Sequence, residues 1–478
     1  MLYYIEIVYM YFSVKTSNNL TKAGDTMAAI NTSEIIHNLC GNLAEQNSKP
    51  FPFSENDSIK RGLRNADGTG VMVGYTGVGS VLGYSVLDGE RIPMEGRLMY
   101  RGYDLADLVK AFSEEKRFGY IETAYLLLFG KLPTKDELKQ FNLLVHELMP
   151  LPDNFTEDMI LKNPSHDIMN KLGRSVLALY SSDPNADDLS LENLIRQSVS
   201  LIARFPVIVS HAYVVKRHYF DHKSLYLHRP VPALSNAENI LRMIRPFKQY
   251  TEDEARLLDF CLVCHADHGG GNNSTFTCRS VSSTGSDTYS AIAAAVGSLK
   301  GPLHGGANLR VMAQLEEIKR NVRVWTDDGE LSGYLRKILR KQAGDGSGLI
   351  YGMGHAIYTL SDPRTLILKE KARSVAEEKG YLPELQLLEA IERLTPQLFA
   401  EETGKEKIMC ANVDMYSGLI YKILDIPPEL YTPLFAVARI SGWCAHRIEQ
   451  IIKDGRIYRP AFKSIVTHKN YVPLSERK

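Results

Sequence analysis

The sequence predicts an all-α protein with a small amount of β-structure near its N-terminal part. Two observations carry that reading. Beyond Asp104 apolar residues recur at helical spacing almost without interruption, and only between Gly70 and Tyr103 does the texture change to Val, Tyr and Gly. In that stretch Leu87-Asp88-Gly89-Glu90 reads as a hairpin turn. Ile121, Tyr125, Leu128 and Phe129 then follow one helix face, and Leu132-Pro133-Thr134 supplies a break and a cap before the next helix. Further helices are expected over 253–265, 289–299, 309–321, 331–343, 364–379, 384–402, 415–424 and 430–454. Upstream, 15–50 is polar and weakly patterned, with one short helix expected around 33–40.

The length of 478 residues suits two or three domains with a sizeable core. Charge is balanced, with 56 basic and 56 acidic residues, so no global excess points to nucleic acid and any anion binding is local. The apolar start, 1–14, carries Glu6, lacks a basic n-region and is too short to span a bilayer. It reads as an upstream extension, with Met27 a plausible start. No later stretch reads as a membrane span, and a cytoplasmic location is expected. After Asn308 the helices become richer in Lys, Arg and Glu, and this texture ends near Ile426-Pro427-Pro428. The expected organisation is a loose extension over 1–50, a large helical domain over 51–307 and 422–478, and a smaller inserted domain over 308–421.

Six scattered cysteines do not resemble a secreted disulfide framework. Cys261-Leu262-Val263-Cys264-His265 matches a haem-attachment spacing, yet it lies in a run that reads as buried helix, so structural thiols are expected. His265 and His268 are spaced like a metal pair, but no cysteine or well-placed carboxylate completes a site, and no metal is expected.

Three segments carry the chemistry. In Gly301-Pro302-Leu303-His304-Gly305-Gly306-Ala307-Asn308 and in Gly352-Met353-Gly354-His355, a histidine sits among glycines that let a ligand approach. In Asn412-Val413-Asp414 an aspartate precedes a helix. Together they suit carbon-acid chemistry, with the acid as base and the imidazoles managing protons and developing negative charge. Each has a plainer reading: His304 as a C-terminal helix cap, Asp414 as an N-cap, and Asp362-Pro363 as a helix start with Arg364 solvated. Lys405 and Lys407 suit surface charges or phosphate contacts. Arg439 closes an apolar run and needs an anionic partner if buried. Arg459 precedes Pro460 in an extended tail that can reach another subunit.

Taken in order, these segments resemble the citrate synthase family from roughly Gly74 to Phe462. Gly96-Arg97-Leu98-Met99-Tyr100-Arg101-Gly102-Tyr103-Asp104 is similar to the family's N-terminal signature, and His265-Ala266-Asp267-His268 with Gly270-Gly271-Asn272 to the segment ahead of its first catalytic histidine. The blocks at 301–308, 352–364 and 412–418 follow in family order. The resemblance implies a two-domain helical fold and condensation of acetyl-CoA with oxaloacetate. Asp414 would remove the methyl proton, His304 would stabilise the enol or enolate oxygen, and His355 would protonate the oxaloacetate carbonyl. His268, Arg364, Arg439 and Arg459 would hold carboxylates, with Arg459 reaching from a partner subunit, which implies at least a homodimer. The CoA thioester is substrate, and no further cofactor is expected. Met353 and Thr359 depart from residues common in the family near the expected CoA-adenine loop, which bears on acyl-CoA affinity. The alternative reading is a 2-methylcitrate synthase using propionyl-CoA, because one added methyl is discriminated by only ~1–3 kcal/mol. A non-catalytic relative is disfavoured because binding alone does not require an acid and two imidazoles so placed.

Overall fold

Residues 59–65, 67–87, 90–464 and 468–477 are described by a computed structural model. Two antiparallel strands, β1 (Gly79–Leu87) and β2 (Glu90–Tyr100), pair with Leu87 opposite Glu90, and a short β3 (Tyr103–Asp104) follows on β2. This is the hairpin read from the sequence. Its turn residues Asp88 and Gly89, like the helix expected at 33–40, lie outside the described residues. The register shifts between Leu82 and Tyr84, so the strand kinks at Gly83.

Fifteen α-helices provide most of the regular structure among the described residues. The first six are α1 (Leu105–Glu114), α2 (Tyr120–Phe129), α3 (Lys135–Glu147), α4 (Ile168–Tyr180), α5 (Leu191–Phe220) and α6 (Asn236–Ile244). They are followed by α7 (Glu252–His265), α8 (Asn273–Ser282), α9 (Thr288–Lys300), α10 (Ala307–Asn321) and α11 (Asp328–Leu339). The last four are α12 (Pro363–Glu378), α13 (Leu382–Thr403), α14 (Asp414–Ile423) and α15 (Tyr431–Glu449), and α15 runs on into a π-helical turn, Gln450–Asp454. Thr134 opens α3 with a reciprocal capping box to Glu137, as the Leu-Pro-Thr signal predicts. α11 departs from expectation at both ends. Asp327 caps it earlier by accepting from the Gly329 and Glu330 N–H groups, and it stops at Leu339, shortly before Lys341 turns left-handed.

Lys60–Pro460 form one compact unit. Every residue of α15 is buried, and the helix packs on α2, α5, α7, α8 and α9. Its Trp443 is fully buried, and truncating so large a side chain costs ~3–5 kcal/mol. α10 to α14 pack largely on one another, and α12 and α14 also touch α7. The excess of charge in that segment goes into ion pairs between its helices: Lys319 and Lys422 share Glu316 and Glu384, and Arg336 and Arg340 share Glu402. The other unit comprises Met1–Ile59 and Ala461–Lys478, and its described residues include a 3-10 turn, Leu474–Glu476.

α5 is long and apolar enough to cross a membrane, which the sequence reading did not single out. Its most apolar window is 94% buried inside the protein, so here it acts as a core helix.

Candidate active site

The site grows from three turns and the middle of α15. After α7 the chain bends at Ala266 and presents His268. That bend is pinned from below. Asp267 accepts from the Gly269 N–H (2.9 Å) and lies 3.2 Å from Nε2 of His446 on α15, while the Tyr100 hydroxyl donates to Val263 O (2.9 Å). Such close approach needs glycine on both sides: a Cβ at Gly79 would lie 2.2 Å from Asp267 Oδ2, and one at Gly442 2.7 Å from Oδ1.

His304 follows α9 in the turn before α10. Its own N–H donates to Gly301 O (2.9 Å), and the Gly305 N–H donates to Leu299 O (3.0 Å), so the plain role of a C-terminal helix cap falls to backbone groups. The His304 ring serves a different purpose. Nε2 accepts from the Ser274 backbone N–H (3.3 Å) and sits 3.0 Å from the Ser274 hydroxyl, which in turn accepts from Trp443 Nε1 (3.1 Å). A backbone N–H can only donate, so in the neutral ring Nδ1 carries the proton.

His355 is arranged the opposite way round. Its Nδ1 accepts from the backbone N–H groups of Ile357 (3.0 Å) and Tyr358 (3.1 Å), which leaves the proton on Nε2. The loop carrying it is tied to the start of α14. Gly354 N donates to Cys410 O (2.7 Å), Asn412 N to Gly352 O (2.8 Å), and the Asn412 side chain to Gly354 O (2.9 Å). Gly352 and Gly354 both have φ near +87°, the left-handed region that favours glycine. Two segments some sixty residues apart in sequence are thereby joined, and Asp414 follows directly.

Asp414 is the first residue of α14. Val413 holds the N-cap position and the Asn412 side chain accepts from the Asp414 N–H (3.1 Å), so the plain N-cap reading of Asp414 does not hold. A capping aspartate is found instead just before α12, where Asp362 accepts from the Arg364 N–H (3.0 Å). Its carboxylate also grips the Arg364 side chain through Nε (3.0 Å) and Nη2 (2.7 Å) and accepts from the Val413 N–H (3.2 Å). Arg364 is therefore buried rather than solvated.

These groups form one cluster. The His268 and His355 rings lie 5.2 Å apart, and Tyr358 packs 4.5 Å from His355. His304 lies 6.4 Å from Phe435, whose ring also supports Arg439 at 4.7 Å. Arg439 is fully buried on α15. It donates from Nε to His265 O (2.7 Å), but both terminal nitrogens lack a partner, as does Nε2 of His268. Such unmet polar groups are costly inside a protein unless a ligand completes them.

The electrostatics follow from burial. Desolvation, with Arg439 nearby, lowers His304 to about 4, and desolvation with Arg364 nearby lowers His355 to about 4. His268 is pushed well down for the same reasons. All three imidazoles are therefore neutral near pH 7. Burial raises Asp414 to about 6, against the pull of Arg364. Burial also lowers Arg439 to about 10, whereas Asp362 holds Arg364 above its ordinary value. Each arginine acts on residues from different turns, Arg364 on His268, His355 and Asp414, and Arg439 on His268 and His304.

Arg459, Lys405 and Lys407 are exposed and make none of the contacts that knit this cluster. His265, the other half of the apparent metal pair, is taken up by the core, with Nδ1 2.7 Å from Cys261 O and its ring on Phe435. Cys261 and Cys264 are buried free thiols, as expected. Sequence reasoning missed Ser274, Tyr358 and the clamping role of Asp362. None has a distinctive spacing, and only the three-residue offset of Tyr358 from His355 hints at a shared turn. Thr359 is turned inward: it donates to Gly83 O and accepts from Met94 N (3.2 Å), tying the His355 loop to the hairpin.

A helical enzyme with a buried cationic pocket beside a carboxylate and neutral imidazoles is the class these features define. Residues 69–461 match the family model described as citrate synthase, C-terminal domain. The chain is 35% identical over 389 residues to the citrate synthase of Synechocystis sp., covering 80% of this chain and 89% of that one. It is 34% identical to the citrate synthase of Haloferax volcanii, covering 88% and 99%. A crystal structure of citrate synthase from Pyrobaculum aerophilum superposes with a TM-score of 0.72 at 29% identity, covering 89% of this chain and 97% of that one. The structure of the Thermoplasma acidophilum citrate synthase, a ternary complex with carboxymethyl coenzyme A and oxaloacetate, also gives 0.72, at 26% identity and 88% and 100% coverage. The chain belongs to the citrate synthase family. It is an enzyme of the acyltransferase type.

Proposed function

We propose that the chain condenses acetyl-CoA with oxaloacetate and hydrolyses the product to citrate and CoA. The observation that carries this reading is the buried Arg439 guanidinium with two unpartnered terminal nitrogens, beside the unpartnered Nε2 of His268 and close to Arg364. Donors so placed suit a small dicarboxylate, because guanidinium forks both attract and orient carboxylates. Arg459, brought by a partner subunit, would add a further cation, which makes the working form at least a homodimer.

The proton roles follow from the tautomers. Asp414 removes a methyl proton from the acyl group. A pKa of about 6 makes it a stronger base than an ordinary carboxylate while leaving it mostly ionised above pH 7. His304 donates from Nδ1–H to the thioester oxygen as negative charge develops there. The new carbon–carbon bond forms at the oxaloacetate carbonyl carbon, and His355 passes its Nε2 proton to the oxygen that becomes the hydroxyl. Water then cleaves the thioester and releases CoA. The CoA thioester is a substrate and no other cofactor takes part. Lys405 and Lys407, on an exposed loop, would contact CoA phosphates. The segment 308–421 moves as a body to shut the site, a reading supported by the mutual packing and ion pairs of its helices. We place the enzyme in the cytoplasm.

Acetyl-CoA is preferred to propionyl-CoA in this reading. Relatives named citrate synthase match at 34–36% identity over most of the chain, while one from Bacillus subtilis, at 35%, carries the name citrate/2-methylcitrate synthase. A thiol-release assay with oxaloacetate and both acyl-CoAs tests it. Release with acetyl-CoA at the higher kcat/KM is expected. Absence of release overturns the function, and a higher kcat/KM for propionyl-CoA overturns the acyl preference alone.

A further inference from the structure

We infer that Tyr358 is a further substrate-binding residue, whose hydroxyl donates a hydrogen bond to a carboxylate of the dicarboxylate held between Arg364 and Arg439. This rests on the site reading above and extends it by one group. Tyr358 is only 2% exposed, and its hydroxyl has no partner in the protein. Buried phenols normally find an acceptor, so one left bare is unusual unless the acceptor arrives with a ligand.

The surroundings identify that acceptor. The ring centre lies 4.5 Å from the His355 ring, 5.6 Å from the His268 ring and 5.6 Å from the Arg364 guanidinium carbon. The phenol also interacts electrostatically with both Arg364 and Arg439. Arg439 contributes two further donor nitrogens without partners, and His268 an unpartnered Nε2. A pocket so rich in donors calls for an acceptor-only group carrying negative charge, which describes a carboxylate. The phenol hydroxyl adds a donor without adding another positive charge to a buried site that already holds two.

The backbone holds the ring in place. A Cβ at Gly96 would lie 2.7 Å from the Tyr358 ring, and one at Gly83 2.6 Å from its Cα, so two hairpin glycines allow β1 and β2 to press the residue into the site. Its backbone N–H meanwhile orients His355. The two functions are separable, because only the side chain changes in Tyr358→Phe.

The test is Tyr358→Phe in the full chain, with oxaloacetate as probe. The expected result is a KM for oxaloacetate raised about 10- to 100-fold, the range for a hydrogen bond to a charged group. The KM for acetyl-CoA should change little, kcat at saturation should be largely retained, and the ligand-free Tm should not fall. The upward shift in Tm caused by oxaloacetate in the wild type should shrink in the variant. An unchanged oxaloacetate KM overturns the inference. So does a lowered ligand-free Tm with both KM values raised together, which marks a packing role. A wild type that binds oxaloacetate yet releases no thiol would defeat the proposed reaction while leaving this inference readable from the Tm shift. A wild type that binds no oxaloacetate defeats both.

Discussion

The start of α12 and the middle of α15 each bury an arginine, and the protein treats the two differently. Arg364 is answered within its own turn, since Asp362 takes both Nε and Nη2 and holds the guanidinium firmly charged. Arg439 receives one carbonyl on Nε and nothing on its terminal nitrogens, and burial lowers it to about 10. The difference separates a binding group that the fold has already set from one that waits for its ligand. A buried charge gripped by a protein carboxylate is held charged and oriented before any ligand arrives. One left partly unmet is kept for a ligand, and the fold bears the cost in the meantime.

The largest expected effect falls on Asp414, which the answered arginine faces. Asp414→Asn should lower kcat by ~10²–10⁴ through loss of the base. Ligand-free stability should rise, because burial disfavours this carboxylate. Its raised pKa means the folded state binds more protons between 3.8 and about 6, so its contribution falls as pH rises through that window. Removing the charge should therefore return up to ~3 kcal/mol above pH 6, measurable by denaturant titration. A marked loss of stability in this variant would place Asp414 among the structural pairs.

Next comes the answered side. Asp362→Ala leaves Arg364 buried without its partner and frees the Val413 N–H, so a loss of ~3–5 kcal/mol is expected in equilibrium unfolding. Arg439→Met should behave in the reverse sense, with a ligand-free Tm no lower than wild type and the oxaloacetate-induced shift abolished. If the two variants destabilise equally, the contrast between the arginines fails.

The pH profile is the smallest and sharpest test. kcat/KM should fall tenfold per unit below an apparent pKa of about 6, set by Asp414 in the free enzyme. His304 and His355, each at about 4, should not contribute an inflection near 6.5. The two histidines affect stability in the opposite direction to Asp414. The unfolded chain takes up protons at about 6.5 that the folded rings refuse, so their contribution is intact above that value and is lost as pH falls toward about 4.

Much of this was legible in advance where the signal is local. Helical periodicity, the Thr134 cap and the Val-, Tyr- and Gly-rich texture of the hairpin each depend on neighbours within a few residues, and those elements formed where expected. α11 differed because its ends are set by Asp327 and by the left-handed Lys341, neither of which alters the apolar period. The long α5 escaped separate notice because its central turns are buried nearly all round and leave no continuous polar face to mark it. Asp414 shifted from N-cap to first helical residue, and a one-residue error in a helix boundary is enough to exchange a structural role for a chemical one.

By itself the sequence determined which side chains were available: two histidines among glycines, an acid ahead of a helix, an arginine at a helix start and another closing an apolar run. The tertiary structure alone decided what each of them is. Tautomers came from the N–H groups of Ser274, Ile357 and Tyr358, protonation from the depth of burial, and the split between a met and an unmet arginine from whether a carboxylate lies alongside. The physical reason is that proton position and charge are set by groups within a few ångströms in space, and in this chain those groups come from five separate stretches of sequence.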